Sequence, residues 1–400
     1  MALRRNRDFV LLQAGQLLSS AGSSLSSVAY PLLVLSLTHS PPKAGLVSFA
    51  RLLPIPLLGL PAGALADRWD RRTFMLAADA VRAVAIGALA LVVAFGHVYW
   101  PIPLLAFVEG AGDAFFGASA PGAVRAVVPA VELPAAVSVQ QARSAAVGVA
   151  GPPIGGALFG LARSLPFFVD AGSYVFSFGA LLAMRTPFQQ TRERQRLRVR
   201  AQLAEGVRFL WGQPFLRTTA LLYEIGNFTI PAFLFLLVVV ARRHGLSGGE
   251  IGVLLALFSA FVLLGSLVSS LARNRFSVRG IVLAELYAGL AVLAYVAWPS
   301  VYVLAAALLP QAIVLPITDS VVIGRRIAMT PDRLLGRVEA VRTTLARTAQ
   351  PLGPLLAGLL LGSVSGRATV AVFGAFTIGL AACGTASRAL RAPPAVAEVV

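Results

Sequence analysis

The sequence predicts an all-α membrane protein with twelve transmembrane helices in two pseudo-symmetric six-helix bundles. Three observations lead there. The 400 residues are 57% hydrophobic and only 13% charged, with a mean hydropathy of +0.80, whereas soluble domains are about one-quarter charged. Apolar runs of spanning length recur along the chain. A stretch of the first half is echoed in the second.

The apolar runs fall near 10–38, 43–66, 73–96, 101–125, 136–161 and 165–185, then near 215–241, 249–272, 280–298, 301–324, 335–362 and 368–389. Each reaches the roughly 20 residues that a helix needs to cross a bilayer. The first run follows the basic MALRRNRDF, is long enough to span, and has no clean small-residue cleavage site after it. It reads as a retained helix and not as a signal peptide. Between the two sets lies the longest polar stretch, TPFQQTRERQRLRVRAQLAEGVRFLWGQP, with a surface helix expected around Leu203 to Trp211. The expected organisation is a bundle over 1–185, a cytoplasmic linker over 186–214 and a second bundle over 215–400.

Arginine placement orients these spans. With both termini inside, the cytoplasmic segments hold Arg4, Arg5, Arg7, Arg68, Arg71, Arg72, Arg125, the linker arginines, Arg273, Arg275, Arg279, Arg325, Arg326, Arg333, Arg337, Arg388 and Arg391. The outside loops keep Lys43, Arg163, Arg242, Arg243 and Arg367. This is the positive-inside pattern, which points to a multi-pass protein of the inner (plasma) membrane. The repeat agrees: Pro129 to Gly160 aligns without gaps on Pro331 to Gly362, shifted by 202 residues, with Gly151-Pro152 on Gly353-Pro354. Two matching halves sharing an interface are expected.

Composition also excludes function classes. The net charge of +17 is scattered between apolar runs and forms no basic face with interleaved aromatics, so no nucleic-acid partner is expected. Cys383 is the lone cysteine, and His39, His97 and His244 lie in expected loops. No metal or other cofactor is implied. A GxxxxGK[ST] loop is absent, which argues against ATP-driven transport within this chain. No nucleophile–base grouping suggests an enzyme.

One interruption stands out. In GALADRWDRR, between the second and third runs, five of the six residues from Asp67 to Arg72 are charged. The stretch resembles the G-x-L-A-D-R-x-x-R-R signature of the major facilitator superfamily, with Gly63, Asp67, Arg68, Arg71 and Arg72 on its positions and Asp70 where many members have glycine. SFARLLPIPLLGLPAGALADRWDRRTFMLAADAVRA, FFVDAGSYVFSFGALL and TPDRLLGRVEAVRT…GPLLAGLL resemble the macrolide-efflux and enterobactin-exporter branch of the drug:proton antiporters. The resemblance implies a conformational latch in which Asp67 meets the start of helix 11, near Leu334 to Val338. A helix N-terminus attracts a carboxylate. The competing reading is a cytoplasmic anchor, which accounts for the arginines but not for the acid. LARNRFSVRG, at the equivalent turn of the second half, lacks the acid, so the latch is expected to be one-sided.

Ionisable groups in lipid cost several kcal/mol unless paired or wetted. Helix 4 carries Glu109 and Asp113, one turn apart on one face; helix 7 carries Glu224, with Asn227 one turn on; helix 10 carries Asp319. The resemblance places helices 1, 4, 7 and 10 around a central cavity. Three of the four hold an acid, which suggests proton coupling through Asp113 and Glu224, with Glu109 and Asp319 behind them. Ser23, Ser27, Tyr30, Phe116 and Asn227 are candidate substrate-cavity residues, with Phe115 and Phe228 as further aromatics; for each of the three phenylalanines core packing is at least an equal alternative. The structural alternative for the acids is pairing: Arg51 with Glu109, Arg342 with Asp319, and Asp79 with Arg82. Asp170 reads as structural, and the sequence suggests no partner for Asp113 or Glu224. On helix 5, GPPIGG resembles the core of the superfamily's antiporter motif through Gly151, Pro152, Gly155 and Gly156, although the preceding glycine stands at 148 and not 147. The prolines remove backbone donors and the glycines allow close helix contact.

These readings combine into a monomeric secondary active exporter of amphipathic small molecules, drug-like or siderophore-like, working by proton antiport and alternating access. Its partners would be a small-molecule substrate, protons and the lipid bilayer. The competing functions are a nutrient importer or facilitator without proton coupling, and a non-transporting membrane sensor or scaffold.

Overall fold

The computed structural model describes residues 3–66, 68–96, 98–188 and 199–391. The twelve helices fall where the apolar runs lie. In the first half they are α1 (Arg7–Thr38), α2 (Pro41–Ala66), α3 (Arg71–Phe95), α4 (Pro101–Val127), α5 (Leu133–Leu161) and α6 (Leu165–Ala183). A surface helix, Val199–Gly212, follows. The second half contributes α7 (Pro214–Arg243), α8 (Gly248–Arg275), α9 (Val278–Ala297), α10 (Val301–Met329), α11 (Asp332–Ala349 continued by Leu352–Ser363) and α12 (Gly366–Ala386). No strand occurs among the described residues.

Local chemistry explains the ends and the breaks. Asn6 caps α1 by accepting from the Phe9 amide at 3.1 Å, and Ser40 precedes the prolines that open α2. Asp70, the departure from the family signature, is the N-cap of α3: its Oδ1 accepts from the Thr73 amide at 2.8 Å and the Thr73 hydroxyl at 2.9 Å. An acid with extended backbone geometry is a favoured residue there. Pro54 has no amide to donate, and α2 is interrupted at the preceding Leu53. Pro351 likewise divides α11, while α5 stays helical through Pro152 and Pro153. α7 contains a π-helical turn, Ala220–Glu224, a deformation often found at functional sites.

Among the described residues, ten helices are long and apolar enough to cross a membrane. The others are α4, whose apolar stretch is diluted by glycine, alanine and two acids, and α11, whose first part carries Arg333, Arg337, Glu339, Arg342 and Arg347. Large apolar side chains such as Leu161, Leu267 and Phe95 stay exposed, as lipid-facing positions do.

The chain forms two compact units, Met1–Gln195 with Ala241–Ala256, and Arg196–Val240 with Leu257–Val400. In the first, α1 packs on α2, α5 and α6, and α3 on α4 and α6, around a core that includes Phe9, Leu12, Met75, Phe116 and Leu181. In the second, α9 packs on α10 and α12, and the first part of α11 lies against the surface helix and the π turn. Leu216, Leu286, Leu334 and Val338 are buried there. Glu205 of the surface helix pairs with Arg337 and, at 3.7 Å, with Arg333.

Close approach depends on small residues. A Cβ on Gly155 would lie 2.6 Å from the Leu25 carbonyl oxygen, and one on Gly151 would strike Ser24, so both glycines seat α5 on α1. The repeat-related Gly353 abuts Phe228 of α7 in the same way. Each unit therefore uses the equivalent glycine for the equivalent helix pair. Gly110 of α4 lies against the Arg51 carbonyl and Pro54 of α2. Gly110→Ala is expected to destabilise the protein by about 1–3 kcal/mol, because backbone must move to admit the methyl group. Unfolding in mixed micelles measures this, and an unchanged transition would show that α2 and α4 separate freely.

Candidate functional site

In the first unit the helix packing gathers two charge clusters. Arg51 meets Glu109 side-on, with Nε donating to Oε2 at 2.7 Å and Nη2 to Oε1 at 2.9 Å. The Tyr30 and Tyr174 hydroxyls each donate to the same carboxylate at 3.2 Å, and Ser23 shares a 2.9 Å hydrogen bond with Tyr174. Four donors on a carboxylate that is 2% exposed hold Glu109 in place.

Beside it, the Arg82 guanidinium lies between the Phe116 and Tyr174 rings, 4.3 and 4.4 Å from their centroids. It pairs with buried Asp79 and, at 3.4 Å, with Asp113. The expectation that Asp113 has no partner is corrected: α3 packs on α4, which brings Arg82 across. The Asp113 side chain nevertheless stays 55% exposed. Asp170 is fully buried and accepts from Ser26 at 2.6 Å, which suits a structural residue.

The second unit holds a matching network. Arg342 of α11 donates to Glu224 at 3.1 Å and to Glu339 at 2.6 Å, while Arg326 of α10 reaches Glu339 at 2.9 Å. The expected isolation of Glu224 is thus also corrected, as is the pairing of Arg342 with Asp319. Arg342 projects from α11 toward the π turn of α7 and spends its donors on Glu224 and Glu339. Glu224, Asp319, Arg326 and Arg342 line a small recess of about 30 Å³ with Thr219 and Tyr223.

The cavity residues expected from the sequence divide. Tyr30 is 1% and Phe116 8% exposed; both are packed inside the first unit, Tyr30 edge-on to Phe167, which corrects their assignment to a cavity wall. Ser23 is half-buried, Ser27 is exposed and Asn227 is half-buried, its amide donating to the Ala346 carbonyl at 3.4 Å. Phe115 packs edge-on to Phe74, and Phe228 lies tilted against Phe373 and Phe376.

Of the signature residues, Asp67 lies outside the described residues. Gly63 is within α2 and Arg68 is exposed in the turn. Arg71 lays its guanidinium over Gly122 of α4. Arg72 donates to the Leu181 and Leu182 carbonyls at 3.0 and 2.6 Å, capping the end of α6. These arginines therefore do more than orient the chain, because they tie α3 to its neighbours. Gly151 and Gly155 face α1 as described, Gly156 abuts Gly248 within the same unit, and Pro152 offers its carbonyl to the surface where Gly252 packs.

Sequence reasoning passed over Glu285 of α9. It is 5% exposed, its Oε2 is buried without a hydrogen-bond partner, and no described cation pairs with it. The signal was an acid inside an apolar run, in a helix outside those the family resemblance singled out. Among the described residues no group of three or more His, Cys, Asp or Glu side chains is arranged to hold a metal ion.

Twelve helices, a repeated glycine contact and buried acid–arginine networks in each half define a multi-pass membrane protein of the major facilitator class. The chain belongs to the transmembrane secretion effector family, whose sequence model matches residues 1–398. It is similar to the multidrug efflux pump Tap of Mycolicibacterium fortuitum, 29% identical over 387 residues covering 92% of this chain and 93% of that one. A shorter match, 24% identical over 152 residues and 38% of each chain, is to macrolide efflux protein A of Streptococcus pyogenes. Among solved structures, a bacterial homologue of the human lysosomal transporter Spinster shares the fold, with a TM-score of 0.72, 16% identity and coverage of 97% of this chain and 98% of that one.

Proposed function

We propose that this protein is a proton-coupled exporter of amphipathic small molecules, working by alternating access in the inner membrane as a monomer with both termini cytoplasmic. The relatives named as multidrug and macrolide efflux proteins support export as the direction. The observation that carries the coupling is the recess in the second unit, where Glu224 and Asp319 face two arginines.

The chemistry follows from charge balance. Arg342 is shared between Glu224 and Glu339, so a small shift of α11 leaves Glu224 without its cation. A carboxylate in such a recess then takes up a proton, since the charged form is the costly one away from water. When Arg342 returns, the proton is released. Asp113, exposed on one side and 3.4 Å from Arg82, performs the same exchange in the first unit. Asp319 tunes the recess, and Glu109, held by four donors, keeps α2 and α4 in register. Gly63, Asp67, Arg68, Arg71 and Arg72 form the latch, and Gly151 and Gly155 keep α5 seated on α1 as the first unit moves.

Proton-gradient-driven flux in proteoliposomes tests this. Asp113→Asn and Glu224→Gln are each expected to lower gradient-driven efflux of a multidrug dye about tenfold or more, equivalent to roughly 1.4 kcal/mol, while downhill dye movement persists. Full gradient-driven flux in the double variant would remove both residues from the coupling mechanism.

A further inference from the structure

Arg143 lies nearly three turns inside α5. It stands within the apolar run of that helix and not in a loop. It faces Gln13 and Gln16, one turn apart on α1. A single nitrogen, Nη1, donates to both amide oxygens, at 2.8 Å to Gln13 and 2.6 Å to Gln16. Those contacts fix the amide orientation, because a flipped glutamine would set its NH2 group against the guanidinium.

What is left over is all of one kind. Arg143 Nε, Gln13 Nε2 and Gln16 Nε2 are buried without partners, and Gln16 is 4% exposed as a residue. No described carboxylate pairs with Arg143, in contrast to Arg51, Arg82, Arg326 and Arg342. The unused Nε–Nη2 edge of a guanidinium is the one that grips two oxygens at once. Three sets of unspent donors, one of them cationic, match a group with several acceptor oxygens and a negative charge.

We propose that Arg143, Gln13 and Gln16 form a binding site for an oxyanion, a carboxylate or phosphate-type group, borne by an amphipathic solute or by an anionic lipid. The inference rests on the export reading only in taking the solute as cargo; the site itself is defined within the first unit. The guanidinium edge binds two oxygens and supplies the charge. The two amide NH2 groups close over the remaining oxygen lone pairs.

Equilibrium binding to the purified full chain in phosphatidylcholine nanodiscs tests it, with NBD-labelled hexanoate and its methyl ester as probes. Wild type is expected to bind the acid about tenfold or more tightly than the ester, in line with charge-assisted hydrogen bonding. Arg143→Gln is expected to abolish that preference and Arg143→Lys to retain part of it, because lysine keeps the charge but not the fork. Gln13→Met should reduce it less. Unchanged ester affinity and elution profile in the variants establish that they fold. Displacement of the acid when phosphatidylglycerol replaces part of the lipid assigns the oxyanion to a headgroup; no displacement assigns it to the solute. Equal affinity of wild type for acid and ester, or a preference that survives in Arg143→Gln, would overturn the proposal. No gradient is applied, so the result is independent of whether transport is proton-coupled.

Discussion

Arg82→Met is expected to destabilise the protein by about 3–5 kcal/mol, the range for removing one member of a buried ion pair. Arg82 is 2% exposed, and its partner Asp79 is fully buried with Oδ2 already lacking a hydrogen bond. Without the guanidinium, Asp79 is left as an uncompensated charge among apolar helices, and the Phe116 and Tyr174 rings lose the cation between them. Arg82→Met combined with Asp79→Leu should recover much of the loss, since the charge is then absent. Asp113→Asn should cost under about 1 kcal/mol, because that carboxylate is half exposed and screened. Equilibrium unfolding in mixed micelles ranks the variants. Equal losses for Arg82→Met and Asp113→Asn would mean that the cluster is not organised around Asp79.

The second large effect is on transport. Arg342→Met is expected to lower gradient-driven flux about tenfold or more, roughly 1.4 kcal/mol. Adding Glu224→Gln to that variant should cause little further loss. The two groups share a 3.1 Å contact, and residues acting as one unit give non-additive losses. Flux through wild type, both single variants and the double variant, measured in the same proteoliposomes, completes the cycle. Losses that simply multiply would place Arg342 and Glu224 in separate steps.

The helical frame was legible because its causes are local. Stretches of apolar residues act over a few neighbours, whereas the caps of α1 and α2 and the breaks at Pro54 and Pro351 were seen only in the structure. The repeat was also legible: Gly151 and Gly353 align in sequence and make equivalent contacts with α1 and α7. The charge partners were harder. A helical period shows that Glu109 and Asp113 share a face of α4, but Asp113 meets Arg82 only because α3 lies beside that face. Tyr30 and Phe116 carried a polar or aromatic signal compatible with a cavity, yet each packs inside the first unit. Arg143 and Glu285 were visible as letters in apolar runs; only their surroundings mark them as unspent donor and unpaired acid.

Composition, periodicity and arginine bias determined the membrane class, the number of spans and the positions of the acids, because each depends on transfer between water and oil or on short-range backbone chemistry. The tertiary structure decided which charges neutralise one another and which face a recess. It also decided which donors remain unsatisfied. Those outcomes depend on helices distant in sequence lying within a few ångströms, where a low dielectric makes one arginine the difference between a fixed carboxylate and an exchangeable one.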